Sequence, residues 1–288
     1  MDGGYGLYYI NGKLIRYDSQ DEDFNTINEA LWELANLDEN DYPIELSLYD
    51  YLISIYTSEE MIKVAINGYA NTLCCNIKEL SLCQVIRWSR MWNHGSDEEE
   101  GDYRFTNSYK CLIDHFINEI TKQSNKRSSI LINKPVTDII HGLEDIKYPV
   151  IVNTMDGIEY NCKCVVLTAS PHVLRSGLIT FDPPLSNDKS DALKCVVMHP
   201  VVKVLLKFSQ ICWPKSVQGM IMVDDNFMIP EVWFRSVGEI EGEEAVGYCT
   251  GFAAADFAEN IISLPQEEVF QSFLEQVGYS KLYYCHLS

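Results

Sequence analysis

A lysine within an apolar run is the residue with the clearest chemical potential in this sequence. Lys203 lies in the run 201–206 (VVKVLL), and in a strand it shares a face with Val201 and Leu205. A lysine in such surroundings extends its ammonium to water, pairs with an acid, or lies in a cavity that disfavours its charged form. The alternative is an edge strand whose lysines discourage pairing with other chains, and Lys207 on the same face favours it. From these residues alone, the edge strand is preferred.

No other local motif predicts a reaction. The phosphate-binding loop, the GxSxG elbow and HExxH are absent, and the six histidines have no metal-ligand spacing. Residues 4–6 (GYG) lack the third glycine of a dinucleotide fingerprint. The ten cysteines include no CxxC pair, so we expect buried free thiols of a reducing compartment rather than disulfides or a metal centre. The sequence therefore predicts no metal site.

Composition and charge bound the class of protein. The chain has 288 residues, 47% of them hydrophobic, which excludes global disorder and provides for a sizeable core. Its formal net charge of −20 argues against a nucleic-acid or anionic-membrane surface and suits cationic partners. No apolar run is long enough to span a membrane, and no secretory signal is visible. A cytoplasmic location is the expectation, with a peroxisomal or nuclear address as an open alternative.

The elements that must position Lys203 predict a mixed α+β chain with helices gathered in the first half. Ser47 with Asp50 resembles a capping box, and Ser58 precedes two glutamates at a second expected helix start. Strands are expected at 136–140, 150–154, 159–168 and 201–208, with further candidates around 232 and 245–252. An Asp-Gly turn at 156–157 predicts a hairpin. The apolar run 164–167 predicts a strand buried on both faces, and Pro265 suits a helix start.

Several segments together resemble the flavin-containing amine oxidase family, most of all its polyamine oxidase and lysine-specific histone demethylase branch. The segments match the family patterns "GVL(K/R)" and "I.F.PPLP..K..A(I/L)", then "KV.L.F...FW" and "GF.AG..A". They are residues 165–185 (VVLTASPHVLRSGLITFDPPL) with Lys189 and 192–193, residues 202–208 (VKVLLKF) with 212–214 (CWP), and residues 250–258 (TGFAAADFA).

The resemblance implies a fold in which two domains interleave along the chain. It implies an amine oxidase-type substrate domain, a mixed sheet flanked by helices, with part of an FAD-binding domain. The N-terminal dinucleotide-binding βαβ unit of the family is not found in this sequence. The expected segments are a mainly helical part of the substrate domain, strands of the FAD domain, a β-rich substrate-binding part, and a truncated helix and tail. They span residues 1–128, 129–175, 176–262 and 263–288.

The resemblance also assigns roles to individual positions. Lys203 matches the family's active-site lysine, which holds a water near flavin N5, and this match reverses the preference for the edge-strand reading. Trp213 matches a tryptophan beside the flavin, with core packing as an open alternative. Trp233 and Phe234 are candidates to line the substrate cavity by position only.

The FAD contacts that the resemblance implies lie earlier in the chain. The backbone of Val136 matches a contact to the adenine end, with an ordinary core valine as the alternative. Thr168, Ser170 and Pro171 match the crossover that passes close to the cofactor. His172 stands where the family usually has glycine, a residue that permits backbone conformations that histidine resists.

The implied activity is FAD-dependent oxidation of an amine or polyamine. A hydride passes from the carbon beside the nitrogen to the flavin, O2 is the acceptor, and H2O2 is released. Because the pyrophosphate-binding segment is not found, we expect the chain to be an incomplete fragment that does not hold FAD stably alone. The alternatives are a catalytically inactive truncated paralogue acting as a binding or interaction module, and an unrelated α+β scaffold.

Overall fold

The computed structural model describes residues 5–16, 22–55, 57–93, 108–122, 128–144, 147–237 and 246–279. These residues form two compact units. One unit comprises the described parts of Met1–Glu100 and His199–Ser288, and the other those of Gly101–Met198. The second unit is thus inserted into the first, at limits that differ from the expected segment boundaries at 128, 175 and 262. Among the described residues, no helix combines the length and apolar character that crossing a bilayer requires.

Both units mix helices with strands, as the sequence predicts. The strands are β1 Tyr5–Ile10, β2 Lys13–Arg16, β3 Val136–His141, β4 Val150–Thr154, β5 Glu159–Cys162, β6 Thr180–Asp182, β7 Val201–Phe208, β8 Val217–Val223, β9 Glu231–Val237 and β10 Val246–Ala254. The α-helices are α1 Glu22–Glu33, α2 Leu48–Ser54, α3 Glu59–Val64, α4 Leu82–Asn93, α5 Lys110–Lys122, α6 Pro171–Arg175, α7 Asn187–Cys195, α8 Asp256–Ile262 and α9 Gln266–Tyr279. A π-helical segment, Ala65–Ala70, continues α3.

The first unit is built on a six-stranded sheet in the order β2-β1-β8-β9-β10-β7. The pair β1 and β8 is parallel, and the other neighbours are antiparallel. Strand β7, which carries Lys203, is the last strand of the sheet among the described residues. The position of β7 therefore agrees with the edge-strand alternative, and any chemical role of Lys203 has to be argued from its neighbours.

The first hairpin, β1 with β2, is absent from the sequence-based expectation of a mainly helical first half. Its turn is Asn11-Gly12, with φ of 46° and 85°. Positive φ at both positions fits the type I′ turn that favours Asn-Gly in two-residue hairpins. The turn signal was present in the sequence, but these short strands lie before the long helical stretch and are easily overlooked.

Two hydrophobic clusters pack on opposite faces of this sheet. On one face, Met220, Val232 and Cys249 pack with Phe273 of α9. On the other face, Ile221 and Val223 pack against the cluster formed by α1 to α4. Because side chains alternate along a strand, Lys203 on β7 shares the face of Ile221. The helices cover the β8 end of that face, and Leu205 on β7 is 60% exposed.

Two helix starts match their sequence signals. The Ser47 hydroxyl accepts a hydrogen bond from the Asp50 backbone N–H at 3.1 Å, and Ser58 caps α3 in the same way through Met61. Such caps contribute about 1 kcal/mol each. Asn107, whose side chain type also favours a helix start, lies outside the described residues, and the helix that follows it, α5, is present.

The second unit contains a four-stranded sheet in the order β5-β4-β3-β6. Its hairpin β4–β5 turns at Asp156-Gly157, where Gly157 has φ of 78°, as the sequence predicts. The Asp156 carboxylate accepts from the Thr154 hydroxyl at 2.7 Å and forms an ion pair with Lys134. These polar contacts hold the turn against the start of β3.

Two expectations about burial are wrong. The run 164–167 is not a buried strand but irregular and exposed, and Val166 is 86% accessible, because no neighbouring strand pairs with it among the described residues. Of the nine cysteines among the described residues, all free, only Cys83 and Cys249 are buried, against the expectation of buried thiols. The remaining described cysteines are half-buried or exposed, since several lie in loops and at helix ends rather than in the core.

Candidate active site

Lys203, Phe252 and Glu231 form a row across three neighbouring strands. Lys203 on β7 pairs with Phe252 on β10, which pairs with Glu231 on β9. Residues in direct cross-strand register point to the same face of the sheet. The Lys203 Nζ lies 5.3 Å from the centroid of the Phe252 ring, within the range of a cation–π contact. The row therefore places a cation, an aromatic ring and an acid side by side.

Glu231 is a buried acid that the sequence analysis did not select. It is only 4% exposed, and its Oε2 accepts hydrogen bonds from Asn71 Nδ2 at 3.0 Å and Thr72 Oγ1 at 3.2 Å. Burial raises the pKa of Glu231 above its ordinary value, while the hydrogen bonds from Asn71, Thr72 and Trp233 and the charge of Lys203 act in the opposite direction. Burial dominates, so this carboxyl group retains its proton more readily than an exposed glutamate does.

The helical segment that follows α3 supplies the partners of Glu231. Asn71 is 2% exposed and also accepts the backbone N–H of Ala254 at 2.9 Å through its Oδ1. One turn earlier, Asn67 Nδ2 donates to the Met222 carbonyl at 2.7 Å. Both amides lie in or directly after the π-helical segment Ala65–Ala70, a type of helix that is frequent at functional sites. This segment is thereby fixed to the sheet at β8 and β10.

Cys74 borders the same group of residues. Its backbone has φ of 55°, a conformation uncommon for a residue with a side chain. Burial raises the pKa of the Cys74 thiol, the charge of Glu231 raises it further, and Lys203 lowers it. Cys74 is therefore within electrostatic reach of both charged residues of the row.

The predicted residues of the first unit divide between the two faces of the sheet. Trp233 lies on the face of Lys203 and is 37% exposed. Phe234 and Trp213 lie in the core on the opposite face, with their ring centroids 5.0 Å apart. The structure thus gives Trp213 and Phe234 packing positions, and their cofactor and substrate roles stay predictions that this placement does not support.

The predicted FAD contacts, Val136, Thr168, Ser170 and Pro171, all lie in the second unit. Val136 is the first residue of β3 and is half-buried, and Thr168 is exposed in an irregular segment. The Ser170 hydroxyl caps α6, in which Pro171 holds the first position. His172 lies within this short helix, so its backbone does not need the conformational freedom of glycine. The cofactor roles of these residues stay predictions.

The row is suited to an organic cation or amine. A carboxylate beside aromatic rings binds an ammonium group through charge and cation–π attraction. The exposed side chains of Leu205 and Trp233 give the same face an apolar floor for a flat or extended ligand. The sequence did contain a sign of Glu231, an acid directly before the apolar strand residues Val232 and Trp233. Its partners Asn71 and Thr72 are about 160 residues away in sequence, so no local pattern reveals them.

The fold, with its mixed sheets and helices, is that of the flavin amine oxidoreductases. The chain belongs to the family of flavin containing amine oxidoreductases, whose family model matches residues 11–282. That match confirms the resemblance seen in the sequence.

Among relatives, human lysine-specific histone demethylase 2 is 27% identical over 134 residues, which are 46% of this chain and 15% of that protein. Polyamine oxidase 1 of Zea mays is 30% identical over 111 residues, 38% of this chain and 22% of that protein. The chain therefore matches only a small part of the length of these relatives.

Solved structures share the fold along nearly the whole chain. A structure of wild-type putrescine oxidase bound to putrescine superposes with a TM-score of 0.74 at 16% identity, covering 98% of this chain and 65% of that one. Cyclohexylamine oxidase from Brevibacterium oxydans superposes with a TM-score of 0.70, covering 96% and 62%. At this level of identity the superpositions show a common fold with mixed sheets and helices.

Proposed function

We propose that this chain is part of an FAD-dependent oxidase that acts on a C–N bond of an aliphatic amine, with polyamines as the preferred class. The observation that carries the proposal is the row Lys203–Phe252–Glu231 on an open, partly apolar sheet face of an amine oxidoreductase fold. Names of relatives that include polyamine and putrescine oxidases support the amine class. The charge of −20 favours the approach of polycations.

The residues of this face fit a flavin ring on one side of the site. Val201, Leu205 and Trp233 are exposed apolar side chains around Lys203, an arrangement unusual for a solvated strand and suited to a planar ring. Leu205 and Trp233 would hold that ring, and Lys203 would face it. We further propose that Val136, Thr168, Ser170 and Pro171 serve the rest of the FAD, in a domain interleaved with the substrate domain.

The residues of the row divide the work of binding and proton handling. The chemistry that bound FAD supplies is acceptance of a hydride from the carbon beside the substrate nitrogen, with O2 reduced to H2O2 in turnover. Glu231 attracts the ammonium group of the amine, and Phe252 and Trp233 contact its cationic or apolar portions. Lys203 positions a water molecule and excludes a second positive charge from its immediate surroundings, which favours the neutral amine there.

The second candidate function is a catalytically inactive paralogue that binds amines or another protein. It is favoured by the exposed irregular run 164–167, which matches a cofactor-proximal strand and crossover in the resemblance but is unpaired here. We place the protein in the cytoplasm in either case, and expect no nucleic-acid partner.

The test uses the protein isolated from its natural source through a tag added at its own gene. Flavin released by heat is quantified by fluorescence, and H2O2 is measured with putrescine, spermidine, spermine, a monoamine and a methyl-lysine peptide. We expect bound FAD and peroxide formation that is greatest with a polyamine. Absence of both, with a polyamine still bound in calorimetry, contradicts the oxidase and supports the binding module.

A further inference from the structure

A second cluster of ligating side chains shares no residue with the row. Cys75, Glu79 and His199 each offer one ligand atom, and these atoms lie within 4.8 Å of one another. His199 Nε2 and Glu79 Oε2 are already 3.0 Å apart. A tetrahedral zinc ion with bonds of about 2.0–2.3 Å holds its ligands roughly 3.3–3.8 Å apart. A movement of about 1 Å therefore suffices to bring these three atoms around one ion.

The backbone around these residues is fixed before any ion binds. Asn76, next to Cys75, donates to Asp256 at 2.6 Å and accepts the backbone N–H of Lys78 at 2.9 Å. The Glu79 backbone N–H donates to the Asn76 carbonyl at 2.9 Å, which closes the turn that carries both ligands. The residue after His199 is held likewise, because the Pro200 carbonyl accepts from Ala255 at 3.0 Å. Preorganised ligands lower the entropy cost of binding.

We propose that Cys75, Glu79 and His199 form a zinc site, with water in the fourth position. Sulfur and imidazole nitrogen select zinc over magnesium or calcium, which prefer oxygen ligands. On binding, the Cys75 thiol releases its proton to solvent and the thiolate bonds to the ion. Two anionic ligands and a neutral imidazole then balance the two positive charges of zinc. The half-buried positions of Cys75 and His199 shelter the ion, and the exposed Glu79 provides its path of entry.

The zinc site has a structural consequence for the row. His199 lies two residues before the start of β7 and four residues from Lys203. Cys75 follows Cys74, which lies within electrostatic reach of Glu231. A zinc ion therefore joins the start of the lysine-bearing strand to the loop that borders the buried acid. This inference departs from the sequence-based expectation of no metal site, because His199 is 120 residues from Glu79 and no local spacing connects them. It does not depend on the proposed oxidase activity.

The test uses the full chain, stripped of metal by a chelator and kept reduced, with Co²⁺ as the spectroscopic probe and Zn²⁺ as the competitor. We expect one Co²⁺ per chain, a thiolate-to-cobalt charge-transfer band, and displacement by Zn²⁺. Cys75→Ser removes the band, and His199→Gln weakens binding at least about tenfold. Cys74→Ser, one residue away, is the matched control and retains the band.

Three outcomes overturn the proposal. The first is a wild-type chain without the band. The second is a band that survives in Cys75→Ser and His199→Gln, and the third is a band lost in Cys74→Ser instead. Circular dichroism checks that each variant folds. If Cys75→Ser does not fold, unchanged affinity in both His199→Gln and Glu79→Gln overturns the proposal, and weakened affinity in both supports it.

Discussion

Lys203 and Glu231 lie two strands apart on the same face of the six-stranded sheet, with Phe252 between them. The lysine is exposed and the glutamate is buried, so the pair is asymmetric in its contact with water. The charge of Lys203 favours the ionised form of Glu231, but burial outweighs it. A cationic ligand that approaches this face therefore adds the attraction that the buried carboxyl group lacks.

Glu231→Gln is expected to change how stability depends on pH. The pKa of Glu231 in the folded chain lies above its ordinary value of 4.5, so the folded state holds this proton to higher pH than the unfolded state. The contribution of Glu231 to the free energy of unfolding is therefore full below pH 4.5 and is lost as the pH rises through the folded-state pKa. A glutamine stays neutral and shows no such loss.

Urea denaturation of both proteins across the acid-to-neutral range measures this difference. The stability of the wild type relative to Glu231→Gln should fall as the pH rises. Glu267→Gln, at an exposed position on α9, is the control and should follow the wild type. Parallel curves for the wild type and Glu231→Gln would show that Glu231 is not the buried proton-binding group described above.

Ala255→Gly is expected to stabilise the protein by about 1 kcal/mol. Ala255 has φ of 48°, where a side chain is disfavoured and glycine is not. The matched control is Ala254→Gly, one residue earlier and buried within β10, which should destabilise by about 1 kcal/mol because it removes a packed methyl group and adds backbone entropy. Thermal denaturation of the two variants tests the pair, and equal destabilisation by both would contradict the strained backbone at Ala255.

The sequence predicted the parts of this fold that local signals govern. Ser47 and Ser58 marked helix starts, Asp156-Gly157 marked a hairpin, and the limits of β7 followed from its apolar run. Local signals did not reveal the run 164–167 as exposed, because burial depends on which strands pair, and that information is distant in sequence.

The candidate site was predictable only in part. The apolar run singled out Lys203, the resemblance gave it a role and offered Trp233 by position, and the two residues share a sheet face. Glu231 acquires its character from Asn71, and the metal ligand His199 from Glu79. Each of these pairs is separated by more than a hundred residues, so spacing rules that read neighbouring positions cannot detect them.

Gly251→Ala is expected to destabilise the protein by about 1–3 kcal/mol. A Cβ at Gly251 would meet the ring of Phe273 at 2.6 Å and Ile229 at 2.9 Å, both in the core behind Phe252. The matched control is Gly6→Ala in β1, where a Cβ meets nothing within 4 Å and the change should stay within about 0.5 kcal/mol. Urea denaturation gives both values, and similar values for the two variants would contradict the close packing of α9 on β10.

The rate of flavin reduction in Lys203→Met tests the central claim most directly. The measurement is anaerobic stopped-flow absorbance of the protein isolated from its natural source with its flavin bound, mixed with a polyamine. Lys203→Met should slow the reduction or the subsequent reoxidation by roughly 10²–10⁴-fold, because it removes the group that positions water and handles charge beside the amine. Lys207→Met, on the same strand and face, should react like the wild type. Wild-type rates in both steps for Lys203→Met would contradict the assignment of this sheet face as the site of amine oxidation.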